Sequence, residues 1–355
     1  MPIHSPSEED KEIILLEELL ERYSPTYQEQ EAVEVLIETM HRWGFKAHID
    51  EAGNAIGSIG NGTKEIIMLG HIDTVAGKIP VQRQGDLLYG RGSVDAKGPL
   101  ACFTSAAARV GIQAGWKLTV IGAVGEEGDS RGAKHLCHRY QPNFLIIGEP
   151  SGWERIALGY KGSAWCCLTA KQNHAHYAAA AKTACELAFD AWASLKEYTQ
   201  HFNQNKSKVF DQLTVTLTEM SSHNDGFEQT AAIKVNLRLP PDFTMQNLLN
   251  TLAFDESIHI LVEDEIQAYR AEKNSPLVRA FLSVIRAAGG QPGFTLKSGT
   301  SDMNIVAPLW KCPTVAYGPG DSTLDHTPHE HISITEYKQS INVLEKVLRQ
   351  ICSQN

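Results

Sequence analysis

The sequence contains no run of lysines and arginines, and its formal charge is -10 at pH 7 with histidine neutral. A nucleic-acid groove needs a basic stripe or face, so no nucleic-acid partner is expected. No apolar stretch approaches the ~20 residues that span a bilayer. The opening residues, Met-Pro-Ile-His followed by Ser-Pro-Ser-Glu-Glu-Asp, also lack the charged-then-apolar order of a secretory leader. A cytoplasmic protein without membrane association is therefore expected. Cysteine is sparse and odd in number, seven residues with no C-x-x-C spacing, which suits reduced, mostly buried thiols. Internal repeats, low-complexity tracts and long linkers are absent too.

What is present describes an ordinary globular protein, 42% hydrophobic and 21% charged with 15 prolines, able to bury a sizeable core. Its 355 residues exceed the length over which one core usually keeps growing, so two domains are expected. After Ser7, Ile13, Ile14, Leu16, Leu19 and Leu20 recur near the helical period up to the Ser24-Pro25 break. Short apolar runs at 66–69, 118–124, 144–147 and 314–317 read as buried strands. An Ala-rich helix over about 95–111 separates the first two. Alternating segments at 164–169 and 232–239, with a helix between over about 178–195, mark a change of texture. A last helix opens on Ser333 and Glu336 as a capping box and buries Ile341, Leu344, Val347, Leu348 and Ile351. The expected fold is α/β: a catalytic domain with a mostly parallel central sheet, formed by 1–158 and 272–355, and a smaller α+β insertion at 159–271.

In open α/β sheets ligands bind beyond the carboxyl ends of the strands, and each central run here is followed by polar residues. The first ends in Gly70-His71-Ile72-Asp73, where an imidazole could take a metal while the carboxylate two residues on fixes its orientation. His-x-Asp alone is more often the pattern of a simple loop. A Gly-rich turn, Gly90 to Gly98, contains Asp95 and lacks the Gly-Lys-Ser/Thr ending of a phosphate loop. A carboxylate there suits a cation and can bridge two. The next strand ends in Gly125-Glu126-Glu127, adjacent acids that point in different directions, so one can bind metal while the other handles protons. Glu149 follows the next run. The last leads to Asp325-His326-Thr327-Pro328-His329-Glu330-His331. Taken alone, the adjacent acids also read as a solvated acidic turn and the three histidines as solvent-facing or incidental. The joint occurrence of these elements, with nitrogen and oxygen donors and no thiolate, points to zinc, with cobalt or manganese as substitutes.

In this order, GHIDTV, GRGSVDAKGPL, GEEGDS, GEPS and YGPGDSTLDHTPHEHI resemble the motifs of the di-zinc aminoacylase and carboxypeptidase family. That family includes acetylornithine deacetylase, succinyl-diaminopimelate desuccinylase and glutamate carboxypeptidase. The resemblance covers essentially the whole chain and is closest in texture to deacetylases of acetyl-lysine and acetyl-ornithine, including hydrolases that release lysine or ornithine from an amino-group carrier protein. It implies two Zn2+ ions, one held by His71, Asp95 and Glu149 and the other by Asp95, Glu127 and His326. It further implies that Asp73 orients His71 and that Glu126 is the general base. A lid or dimerisation domain would supply His176 to the oxyanion, with His174 as the alternative. Tyr177 and Ala178 stand where Ser-Ser is common in the family, and Ala180 where proline is. Arg238, Gly299 and Thr300 match positions that contact a substrate carboxylate, although Arg238 also reads as a surface-strand residue. The implied activity is removal of an acetyl-type or carrier-linked acyl group from lysine or ornithine by a homodimer in amino-acid biosynthesis. The alternatives are a dipeptidase, a carboxypeptidase or a succinyl-diaminopimelate desuccinylase.

Overall fold

The computed structural model describes residues 8–173 and 181–353, and these form two compact units. One takes in the described residues up to Gly159, Ala271–Thr295, and those from Ser301 onward; the other takes in those of Tyr160–Arg270 together with Leu296–Thr300. The five-residue stretch that carries Gly299 and Thr300 thus groups with the second unit.

At the centre of the first unit Trp116–Ala123, Lys64–His71, Phe144–Gly148 and Thr314–Tyr317 lie side by side in that order, all parallel. Their near-continuous apolar runs follow from burial on both faces; Ile66, Ile67, Met68 and Leu69 are wholly buried. Antiparallel Ala55–Ile59 and Lys46–Ile49 extend one side. From Lys64–His71 the chain passes through helix Lys97–Val110 to the strand on one side. It then returns through Arg131–Leu136 to Phe144–Gly148 on the other side. This reversal is a switch point, the place where open sheets bind ligands, and it falls at His71.

The strand ends stand level, since Gly70 pairs with both Gly122 and Gly148 and His71 lies opposite Ala123. Glycine at this level serves close approach. A Cβ at Gly122 would come within 3.1 Å of the Leu100 side chain, and one at Gly148 within 2.9 Å of Phe103 and of the Gly70 Cα. Helix Lys97–Val110 can therefore seat directly on the strand ends, which brings the turn before it, with Asp95, over them.

The closing helix, Ile334–Cys352, buries the expected stripe. Its capping box forms only by half. Ser333 Oγ accepts from the Glu336 amide at 3.1 Å, but the Glu336 carboxylate accepts instead from Trp153 N at 3.2 Å and Gly320 N at 3.3 Å. Two loop amides win over the helix's own start, and the carboxylate ties the helix to the loops beyond two central strands.

The second unit is an antiparallel sheet in the order Thr214–Asn224, Glu228–Leu239, Gly162–Asn173, Ile258–Ile266. Alternate residues Ala164, Cys166, Leu168 and Ala170, with Ile233, Val235 and Leu237, are buried in one core with Leu187, Ala188, Ala191 and Leu195 of helix Ala184–Asn203. That period of two is the mark of a sheet covered on one face. The helix begins later than its sequence pattern suggests because Thr183 and Glu186 form a reciprocal capping box, and it runs on to Asn203. All seven cysteines are free, but only Cys102, Cys137 and Cys166 are buried and Cys185 is exposed, fewer than expected. Among the described residues no helix is long and apolar enough to cross a membrane.

Candidate metal centre

The level strand ends of the first unit bring the acidic and histidine motifs together. His71, 2% exposed, places Nε2 3.1 Å from Asp95 Oδ1. The other Asp95 oxygen lies 3.1 Å from His326 Nε2, which is itself 3.0 Å from Glu127 Oε1. Asp95 therefore turns one oxygen to each histidine. Glu126 Oε2 stands 4.0 Å from His71 Nε2. Glu149, next after the Gly148 that pairs with Gly70, is close enough for its charge to act on Glu126. His71, Asp95 and Glu127 each offer a ligand atom within 4.8 Å of the others.

Two wholly buried carboxylates fix the loops that carry these groups. Asp73 accepts from the Glu126 amide at 3.0 Å, the Glu127 amide at 3.1 Å and Thr26 Oγ1 at 2.8 Å. Its carboxylate lies 3.5 Å from His71 Nδ1, but its backbone carbonyl is closer to that nitrogen, at 3.0 Å. One residue thus orients His71 and shapes the adjacent-acid turn. Glu330 does the corresponding work for the Asp95 turn. It accepts from Val94 N at 2.9 Å, Asp95 N and Gly92 N at 3.1 Å, and Arg91 Nη1 at 2.8 Å. Behind the turn, the buried Lys97 ammonium donates to the carbonyls of Leu19 and Arg22 at 2.8 and 2.7 Å. These lie at the carboxyl end of helix Glu8–Glu21, where a cation is favoured.

Electrostatics show how short of positive charge the cluster is. Burial, reinforced by Glu149, Glu127 and Asp302, pushes Glu126 well above the usual carboxylate range against the opposing pull of His71. Burial likewise lifts Asp302 to about 7. Desolvation works against the His71 cation, yet the Asp73 and Asp95 carboxylates outweigh it and raise its pKa well above the ordinary value. Hydrogen bonds to Asp95 and Glu127 raise His326 to about 10. The two histidines in turn hold Asp95 well below the usual range despite its burial. Four acids crowd round two imidazoles, and the site offsets them by holding protons on the histidines and by favouring the neutral form of Glu126. Nitrogen and oxygen donors with such a surplus of carboxylate are what zinc and its relatives take, so the residues fit divalent cations.

The remaining candidates belong to the second unit or to residues outside those described. In the second unit Arg238 Nη1 donates to Thr300 Oγ1 at 2.9 Å, and Gly299 has open space where a side chain would stand. His174 and His176 fall outside the described residues. Sequence reasoning passed over Glu330, Asp302, Thr26 and Lys97. Glu330 had a visible cue, its place four residues after His326, but nothing in the sequence distinguishes a buried acid in a His-rich loop from a solvated one.

Acidic and imidazole donors gathered at the switch point of a mostly parallel sheet define the class, a metallohydrolase. The chain belongs to peptidase family M20/M25/M40, whose model matches residues 67–350. It is 38% identical over 334 residues to a [LysW]-lysine hydrolase of Deinococcus radiodurans, covering 91% of this chain and 92% of the relative. To a putative [LysW]-lysine/[LysW]-ornithine hydrolase of Thermococcus kodakarensis it is 39% identical over 342 residues, 96% and 92% of the two chains. In fold it is similar to an M20 family metallo-carboxypeptidase of Sulfolobus solfataricus, with a TM-score of 0.74 at 19% identity over 96% of this chain and 99% of the other.

Proposed function

We propose that the chain is a zinc-dependent amide hydrolase that frees lysine or ornithine from an N-acyl partner, with the carrier-linked amino acid as its preferred substrate. The observation that carries the chemistry is the shared Asp95, one oxygen toward His71 and the other toward His326, beside Glu126, a largely buried acid 4.0 Å from His71. Support for the substrate comes from the names of the relatives at 38% and 39% identity.

In this reading His71, Asp95 and Glu149 would hold one ion, and Asp95, Glu127 and His326 the other. Two divalent ions held there would supply positive charge to polarise the scissile carbonyl and acidify water. The chain's own groups do the rest. Glu126, with its proton affinity raised by burial, takes the proton of the attacking water on a carboxylate oxygen and delivers it to the nitrogen of the departing amine. Asp73 keeps Glu126 and Glu127 in place through their amides. Arg238, whose planar guanidinium suits a carboxylate, holds that end of the substrate with Thr300 and Gly299. His176 donates to the developing oxyanion. The protein acts as a cytoplasmic homodimer in lysine or arginine biosynthesis.

The test is release of free amino acid by the zinc- or cobalt-replete protein from carrier-linked lysine and ornithine, acetyl-lysine, acetyl-ornithine, succinyl-diaminopimelate and a dipeptide panel. The highest kcat/KM should fall on a lysine or ornithine conjugate. A clear preference for dipeptides would move the assignment to a carboxypeptidase, and hydrolysis insensitive to metal would overturn it.

A further inference from the structure

We infer that Glu330 is a positioning residue of the metal centre: its buried carboxylate sets the backbone of residues 91–95 so that Asp95 faces His71 with one oxygen and His326 with the other. The inference rests on the metal-centre reading of these residues. Residues 90–97 form a tight turn, with Ser93 N on Gly90 O at 3.1 Å and Lys97 N on Gly92 O at 2.9 Å. The amides of Gly92, Val94 and Asp95 point inward, where no strand is available to receive them. Glu330, wholly buried, takes all three, and Arg91 fills the remaining lone-pair direction. Buried amides left without an acceptor are strongly disfavoured, so the turn's conformation depends on this one carboxylate. The last amide it holds belongs to Asp95 itself.

Charge points the same way. The Arg91 guanidinium balances Glu330, so the pair adds no net charge beside Asp95, Glu126, Glu127 and Glu149. Glu330→Gln would leave Arg91 as an unbalanced buried cation and would turn an N–H2 group toward amides that need an acceptor. Both changes disfavour a cation at Asp95. The sequence offers a built-in reference. Asp86 braces a neighbouring segment through Ser333 Oγ at 2.5 Å, Thr335 Oγ1 at 2.6 Å and Thr335 N at 3.1 Å. None of these partners lies in residues 91–95. Asp86→Asn should therefore disturb folding stability without disturbing Asp95.

The experiment measures zinc affinity of the full-length chain by competition with a chromophoric chelator, together with the melting temperature of the metal-free protein and kcat and KM. Glu330→Gln should lower zinc affinity about 10- to 100-fold, the range for partners that orient ligands, and lower kcat with little change in KM. Glu330→Asp, which keeps the charge one methylene short, should recover part of the affinity. Asp86→Asn should melt lower yet bind zinc as the wild type does. Wild-type zinc affinity in Glu330→Gln, or in Glu330→Asp if the Gln variant does not fold, would overturn the inference while leaving the metal centre intact. A wild-type chain that binds no zinc would instead sink the metal-centre reading and this inference with it.

Discussion

The two units bury different things. In the first, His71, Asp73, Arg91, Lys97, Asp302 and Glu330 are all nearly inaccessible, and each touches or neighbours the loops beyond the central strands. In the second, the interior is aliphatic, and among its described residues Lys161 is the one buried charged side chain. A buried charge is costly unless paired and hydrogen-bonded. The first unit meets that condition with carboxylates that collect backbone amides, whereas the second avoids the cost. The contrast assigns chemistry to polar interior loops and stability to apolar packing, and perturbing each unit should break one of these and spare the other.

The largest effect expected is from metal removal. Exhaustive chelation should abolish hydrolysis, and added zinc should restore it, because no divalent charge then acidifies water or polarises the carbonyl. A residual rate unaffected by the chelator would remove the reason for that unit's buried charge. Next comes Glu126→Gln, which keeps shape and loses proton transfer. Its kcat should fall by about 10²- to 10⁴-fold, the usual contribution of a general base, while zinc content stays at the wild-type level. Zinc loss in that variant would make Glu126 a metal ligand rather than the base.

For the second unit the matching perturbation is Ile233→Ala, at a fully buried position in the sheet core. Removing this side chain should cost about 2 to 5 kcal/mol, the range for aliphatic truncation with a cavity left behind, read as a lower denaturant midpoint. Zinc affinity at low temperature should be unchanged. A variant that loses zinc affinity in proportion to stability would show that the division of labour is not real.

How far the sequence foretold each unit follows the same line. Period-two alternation in residues 164–169 and 232–239 announced a sheet with one covered face, and continuous apolar runs announced the parallel strands, because both patterns record burial directly. The cluster of His71, Asp95, Glu127 and His326 was legible as residue types after strand ends, since topology places those ends at one level. Two features were not legible. The destination of a carboxylate depends on which amides lack partners in three dimensions, so Glu336 fits a capping box in sequence although it reaches Trp153 and Gly320 in the fold. Glu330 went without a role for the same reason. The start of helix Ala184–Asn203 was missed because the apolar pattern does not weigh the Thr183 and Glu186 cap.

The smallest effect concerns the exception to the contrast, Lys161. Its Nζ donates to Gln212 O at 2.5 Å and Val209 O at 3.4 Å, and burial, then the Arg238 charge, lowers its pKa to about 8 from 10.5. Below about 8 both folded and unfolded chains hold this proton, and the folded state bears the full cost of the buried ammonium. Between about 8 and 10.5 the unfolded chain keeps a proton that the folded chain has released, so stability rises with pH across that window. The melting temperature of the wild type should climb over this range, and Lys161→Met should lessen the climb by no more than a few degrees, leaving the part that belongs to Lys97, which burial lowers to about 7. An equal climb in the variant would assign the titration to another group. A climb that is smaller in the variant would assign that share of the titration to Lys161, the buried charge among the second unit's described residues.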